Sequence, residues 1–234
     1  MIVIGTLRER FALWPFIDCL DHLCLNLAQH RMRFAKMGVR VTNIYKGRRW
    51  IADHFLDIKE ATHLLFIDSD ETFAPETAWH LYELDLPVVS GLVFQRQAPH
   101  PPCIYKRIPD SVFNLAMAVE VKEWFDKHNV PRHDKAAILD MPAEDGIWEI
   151  DECGTGCLLI KREVLEAIPP PRFTGMGDVG TDISFCRRAR KAGFPICVDM
   201  RVQLGHITEY PITQANFRVV DEWVTVIDEG TRDE

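Results

Sequence analysis

The sequence predicts an α/β fold, with a mixed but mostly parallel central sheet flanked by helices. Three observations predict it. Strand-like apolar runs alternate with helical periods as far as residue 95, the pattern of a sheet covered on both faces. Two of those runs, HLLFID (63–68) and PVVSGLVF (87–94), are apolar without alternation, as strands buried on both sides are. The 234 residues, 47% hydrophobic and 26% charged, suit one domain with an ample core.

The elements follow in order. IVIG (2–5) reads as a short first strand. Over 11–36, Leu13, Ile17, Leu20, Cys24 and Leu27 fall on one helical face, with Pro15 in the first turns, where proline is tolerated. VRVTNIY (39–45) is β-branched and alternating and predicts a strand, followed by a charged helix at about 49–60. HLLFID is the next strand, ETFAPETAWHLYEL (71–84) a turn and helix, and PVVSGLVF another strand. After residue 95 the regularity fails: a proline-rich stretch, a short helix over 118–128 and an exposed excursion over 129–146 are expected. WEIDECGTGCLLIKREVLEAI (148–168) then gives strand, glycine turn, strand and helix; DVGTDISFCRRARKAG (178–193) a helix ended by glycine; and FPICVDMRVQLGHI (194–207) a closing strand. The tail from 209 is acidic toward its end.

Composition narrows the function classes. A net charge of −8 argues against a broad nucleic-acid-binding face. There is no apolar run long enough for a membrane span. The apolar stretch in MIVIGTLRERF is too short for a signal peptide. Seven scattered cysteines then read as reduced thiols of a cytoplasmic protein. Cys153 and Cys157 lack a second pair at zinc-site spacing.

Chemistry concentrates in LLFIDSDETF (64–73), where an apolar run ends in Asp68 and Asp70. Ligands of open α/β sheets sit at the carboxyl ends of strands. Residues i and i+2 point the same way if the extended backbone continues, so both carboxylates can face one divalent cation. A solvated strand end before a helix is the plain alternative. LLFIDSDET also has the form of the first motif of haloacid dehalogenase-like phosphatases, and GDVGTDISFCRRARKAGFPICV resembles their last. That resemblance implies Asp68 as nucleophile, Asp70 as acid/base, Ser90 as phosphate ligand, and Asp178 and Asp182 at the metal. Against it, two strands precede the motif, no strand precedes Asp178, and no lysine stands convincingly in the third-motif place.

A wider resemblance spans most of the chain. TLRER (6–10), GRRWIADHFLDIKEATHLLFIDSDETF (47–73), PVVSGLVFQRQAPHPPCIY (87–105), EIDECGTGCLLIKREVLEAI (149–168) and GTDISFCRRARKAGFPICVDMRVQLGHI (180–207) occur in the order of the motifs of GT-A fold, family-2-like glycosyltransferases. The chain resembles their short, soluble bacterial or phage type. The resemblance implies a Rossmann-like sheet with a smaller acceptor-side sheet in a single domain over 1–234: a nucleotide-binding half (1–95), an acceptor and catalytic half (96–208) and a tail (209–234). It implies transfer of a sugar from a nucleotide sugar, UDP-linked, to a hydroxyl of a small molecule, glycan, protein or modified base, with inversion. Mn2+ or Mg2+ would be held by Asp68, Asp70 and His206. The donor would be contacted by Thr6, Arg8, Arg49 (Arg48 being its near rival), Asp68, Ser69, Asp70, Gly154, Thr155 and Gly156, and Asp182 would be the base. Two departures stand out: the usual proline of the opening motif is absent, and Thr181 replaces the acid that commonly precedes the base. Thr181 or Asp182 as a plain helix cap is the structural alternative. FTGMGDVG (173–180) is expected to close over donor and metal. Trp124, Trp148 and Trp223 read as core or surface anchors. A non-catalytic sugar-nucleotide or glycan binder on the same scaffold is a third reading.

Overall fold

A computed structural model of the chain describes residues 1–8, 13–40, 43–96, 102–105, 146–175 and 180–208, with the backbone of 217–220 and 223–226. Its strands are β1 (Ile2–Arg8), β2 (Phe34–Arg40), β3 (His63–Ile67), β4 (Glu71–Thr72), β5 (Val88–Leu92), β6 (Ile104–Tyr105), β7 (Ile147–Ile150), β8 (Glu152–Cys153), β9 (Cys157–Lys161), β10 (Ile196–Gln203), β11 (Gly205–His206), β12 (Phe217–Val220) and β13 (Trp223–Val226). Its helices are α1 (Trp14–Gln29), α2 (Ile44–Asp57), α3 (Thr77–Glu83), α4 (Arg162–Ala167) and α5 (Thr181–Lys191).

The central sheet runs β2-β1-β3-β9-β5-β10-β7. β1 pairs in parallel with β2 and β3, and β5 with β10. β9 runs antiparallel between β3 and β5, and β7 antiparallel to β10. Five of the seven strands therefore point one way. Two-stranded ribbons β11-β4, β6-β8 and β12-β13 complete the described sheets.

Alternate residues of the inner strands feed two cores. Val3, Leu64, Phe66, Val88 and Leu158 pack with Ile51 and Phe55 of α2, Val164 of α4 and Phe185 of α5. Ile2, Ile4, Leu65, Ile67 and Val89 face the other way, toward Phe16, Leu20 and Leu23 of α1 and Ala78 and Leu81 of α3. Burial on both faces is why β3 and β5 read as unbroken apolar runs.

The sequence-predicted elements around residue 40 are corrected. The strand is Phe34–Arg40, not 39–45, and α1 ends at Gln29 rather than running to 36. β2 is an edge strand with alternate residues exposed, so its charges face water. Asn43 ends the β-branched stretch by capping α2: its side chain accepts the Lys46 backbone N–H at 3.2 Å. The helix expected over 118–128, the excursion over 129–145, Trp124 and the side chain of Trp223 lie outside the described residues. Trp148 packs, partly buried, against the core.

His63, at the start of β3, is nearly buried; its Nδ1 lies 2.9 Å from Thr62 Oγ1 and its ring meets Tyr82 edge-on at 4.9 Å. Burial, with the Lys161 and N-terminal charges nearby, pushes its pKa down to about 4. Between its ordinary 6.5 and about 4 the unfolded chain binds a proton that the folded one refuses, so stability falls as pH falls through that window. His63→Gln is expected to make this slope shallower, by about 2 kcal/mol at the acid end, as read by urea unfolding of both proteins across the window.

Candidate functional site

The site lies where β3 and β10 run out. After Ile67 the chain does not stay extended. Residues 69–70 form a turn, with the Glu71 N–H donating to the Asp68 carbonyl at 3.3 Å. β4 then pairs antiparallel with β11, Gly205 opposite Thr72 and His206 opposite Glu71. The Ile207 N–H donates to the Asp70 carbonyl at 2.7 Å, extending the ribbon by one step. This short ribbon brings two distant segments of the chain together at the carboxyl edge of the sheet.

The turn gives the two aspartates different partners. Asp68 faces α2, where the buried Arg48 donates from Nη2 to its Oδ2 at 3.2 Å. Asp70 faces His206: its Oδ2 lies 3.1 Å from Nε2. His206 Nδ1 lies 2.8 Å from the Phe94 carbonyl, which has no proton to give, so Nδ1 carries an N–H; Nε2, turned to Asp70, donates to that carboxylate when protonated and offers a lone pair to a cation when neutral. Two ligand atoms about 3 Å apart suit neighbouring positions around one ion at bond lengths near 2.1 Å.

Glu71, which the sequence reading did not single out, completes the group. One atom each of Asp70, Glu71 and His206 lies within 4.8 Å of the others, the only such trio among the described residues. Glu71 is 1% exposed, and its Oε1 lies 3.6 Å from His206 Nδ1. Its Oε2 is buried without a hydrogen-bond partner. Burial, reinforced by Asp70 and Asp68, pushes its carboxyl well above the usual range. A buried carboxyl group with an orphaned oxygen and two acidic neighbours is a place that a cation relieves. The donor set, carboxylate oxygens and one imidazole nitrogen, fits Mn2+ or Mg2+. For Asp70 itself, burial works against the charge, but the His206 bond and charge and the Arg96 charge outweigh it and hold its carboxyl below the usual range.

Glycine at 156 suits this close packing. A Cβ there would stand 3.1 Å from Glu71 Oε1 and 3.0 Å from Val93 Cγ1. At Gly154 a Cβ would stand 3.2 Å from the Cys103 Cβ. The open sides of both glycines thus meet protein neighbours. Thr155, between them, is buried and its hydroxyl is without a hydrogen-bond partner.

Arg48 also reaches α5. Its Nη1 donates to Thr181 Oγ1 at 3.1 Å, so one guanidinium ties the end of β3 to the first turn of the helix carrying Asp182. Gly180 is the N-cap, and Thr181 is spent on Arg48 rather than on capping. Asp182 is half-buried and accepts the Ile183 N–H at 3.0 Å. Phe173, just before the undescribed residues 176–179, stacks on Phe185 of α5 at 4.6 Å and meets Phe66 edge-on at 5.2 Å.

The other sequence-predicted residues are placed as follows. Thr6 is buried in β1 and pairs with Gly38 of β2. Arg8 ends β1, with its side chain outside the described residues. Ser69 sits in the turn. Arg49 is exposed and lies 3.6 Å from Asp53 one helical turn on, whereas Arg48 points inward. Arg96, unremarked in the sequence, reaches both Asp70 and His206. No helix among the described residues is long and apolar enough to cross a membrane.

No protein-family model matches the chain, and no curated protein sequence matches it. Among solved structures, A197 from STIV is similar over 98% of this chain and 95% of its own, at 16% identity and a TM-score of 0.56, which shows a common fold. GalNAc-T7, solved with UDP, GalNAc and Mn2+, is similar over 88% of this chain and 44% of its own, at 9% identity and a TM-score of 0.49. A mutant β1,4-galactosyltransferase 7 from Drosophila, in complex with manganese, UDP-Gal and xylobiose, is similar over 97% of this chain and 71% of its own, at 11% identity and a TM-score of 0.43.

Proposed function

We propose that the chain is a metal-dependent glycosyltransferase of the GT-A type, which moves a sugar from a UDP-sugar to a hydroxyl acceptor with inversion. The observation that carries this reading is the Asp70–His206 pair: the Phe94 carbonyl fixes the imidazole so that Nε2 and a carboxylate oxygen stand 3.1 Å apart, facing one position. His206, in β11 just past β10, would then serve as a metal ligand, as the motif order in the sequence implies. Asp70 and His206 would hold Mn2+ or Mg2+, with Glu71 beside them. The ion supplies Lewis-acid neutralisation of the charge that grows on the leaving diphosphate.

The chain's own residues do the rest. Asp68, held by Arg48, contacts the ribose rather than the ion. Arg8 and Ser69 line the donor side, with Thr6 and the Gly154–Thr155–Gly156 turn packed behind it and Arg49 turned outward to Asp53. Asp182, in the first turn of α5, accepts the proton of the acceptor hydroxyl. The new carbon–oxygen bond forms at the anomeric carbon as its bond to the diphosphate breaks, and the nucleoside diphosphate leaves with that electron pair.

The phosphatase reading is disfavoured by two observations. Ser90, its phosphate ligand, is buried, and its one hydroxyl proton is taken up between the Gly91 and Cys157 carbonyls, 2.6 and 3.0 Å away. Among the described residues no strand lies between α4 and α5 to present the acids of its last motif. Asp178 lies outside the described residues. A binder without turnover would use the same metal site and leave Asp182 without a base's task.

Calorimetric titration of UDP with and without Mn2+ tests the reading. Mn2+-dependent binding is expected in the natural protein and in Asp182→Asn, and is expected to vanish in His206→Ala. In a screen of UDP-sugars and acceptors, D182N should turn over about 10²–10⁴-fold more slowly. Phosphatase turnover in Mg2+ without UDP binding would overturn the proposal. UDP-sugar binding with no turnover on any acceptor would favour the binder.

A further inference from the structure

Arg96 lies just beyond β5, two residues after the Phe94 carbonyl that fixes His206. Its Nη2 donates to Asp70 Oδ2, and its Nε donates to His206 Nε2 at 3.3 Å. These are the two atoms that a bound ion needs. A guanidinium carries a permanent charge and a planar fork of donors, so it satisfies a carboxylate and an imidazole lone pair at once. We propose that Arg96 is a displaceable internal cation, which fills the metal position in the metal-free protein and turns to the nucleotide diphosphate when the ion enters. The inference rests on the metal and nucleotide reading given above.

Three observations support it. The shared atoms make the two occupants mutually exclusive: Nε2 has one lone pair, and it serves either Arg96 or the ion. The local charge needs a cation in either state. Asp68, Asp70 and Glu71 are consecutive or nearly so, and Arg48 is committed to Asp68 and Thr181, so Arg96 is the arginine that faces Asp70 beside His206. And Arg96 is free to leave, because its side chain is 54% exposed while Asp70 is 29% exposed and His206 14%. A displaced guanidinium stays tethered beside the ion, within reach of the oxygens the ion would bridge, and arginine binds phosphate with two parallel hydrogen bonds.

The consequence is a coupling between two ligands. The ion alone must evict Arg96, so it binds weakly. With a nucleoside diphosphate present the evicted charge gains a new partner, and ion and nucleotide each tighten the other by the same factor. The device keeps the acid pair neutralised between turnovers and favours the ion only in company with the substrate.

The test is a Mn2+ titration of the full chain, followed by the electron paramagnetic resonance signal of free Mn2+, with and without UDP. It compares the natural protein with R96Q, R96K and D70N. R96Q is expected to bind Mn2+ alone about tenfold more tightly, the factor set by one charge-assisted hydrogen-bond pair. UDP should then improve Mn2+ binding less in R96Q than in the natural protein. R96K keeps the charge without the fork and should fall between. If the natural protein binds Mn2+, D70N does not, and R96Q binds no more tightly, the metal site stands and the role of Arg96 is overturned. If neither the natural protein nor R96Q binds Mn2+, the metal site itself falls and the inference with it. Arg96 faces solvent, so R96Q should melt within a few degrees of the natural protein; R96K carries the same comparison if it does not.

Discussion

Asp70→Asn is expected to weaken Mn2+ binding by more than about 100-fold and to leave the fold intact. The side chain keeps its shape but loses its charge, and a carboxylate is the stronger partner for a hard cation. The backbone role of residue 70 survives, because Ile207 donates to the main-chain carbonyl and not to the carboxylate. His206 also keeps its Phe94 bond, so the imidazole stays oriented without its anionic neighbour. The measurement is the same free-Mn2+ titration, paired with a thermal melt. A variant that melts like the natural protein and still binds Mn2+ as tightly would remove Asp70 from the ion's coordination. Transfer should fall with the ion, by about 10²–10³-fold at fixed Mn2+.

Arg48→Met should act mainly on stability. Arg48 is 7% exposed, donates to Asp68 and Thr181, and stands between α2, β3 and α5. Methionine fills much of the same space but strands the Asp68 carboxylate and the buried Thr181 hydroxyl without their partner. Breaking one side of a buried pair costs about 3–5 kcal/mol; the partial exposure of Asp68 brings the expectation to about 2–4 kcal/mol. For a chain of this size that is a fall in melting temperature of about 5–15 °C. The double variant R48M/D68N should recover part of the loss, since the stranded charge is gone. No recovery would mean that the loss comes from packing or from Thr181, not from an uncompensated anion. A melting temperature unchanged in R48M would contradict the pairing itself.

Much of this was legible in the sequence, and the misses share a physical cause. β3 and β5 announced themselves because burial on both faces leaves no room for alternation. The approach of the segment at 68–70 to His206 was legible as joint order, since both follow strands that end at one edge of the sheet. What was not legible was phase. α2 starts at Ile44 rather than near 49, because Asn43 caps it. Counted from 44, the buried face is Gly47, Arg48, Ile51, Ala52 and Phe55, and Arg49 falls outside. A shift of the helix start thus changed which arginine faces inward. At 68–70 the reading assumed that the backbone stays extended; the turn at 69–70 sends Asp68 to Arg48 and Asp70 to His206. Glu71 looked like one more acid before a helix, and only the pairing of β4 with β11 buries it. Arg96 carries no local signal at all, since its partners are 26 and 110 residues away.

The antiparallel insertion of β9 has a consequence for biosynthesis. β3 and β5 are close in the chain but do not pair; the strand that joins them, Cys157–Lys161, is made long after both. A nascent chain that has released only its first 95 residues therefore holds β3 and β5 each with an open edge and both faces apolar. Such edges invite pairing with other chains until they are covered. A fragment cut at that point should accumulate as aggregate rather than as a small folded unit. Translation must pass residue 161 before the sheet can close across its middle, so a chaperone would find its substrate in that interval.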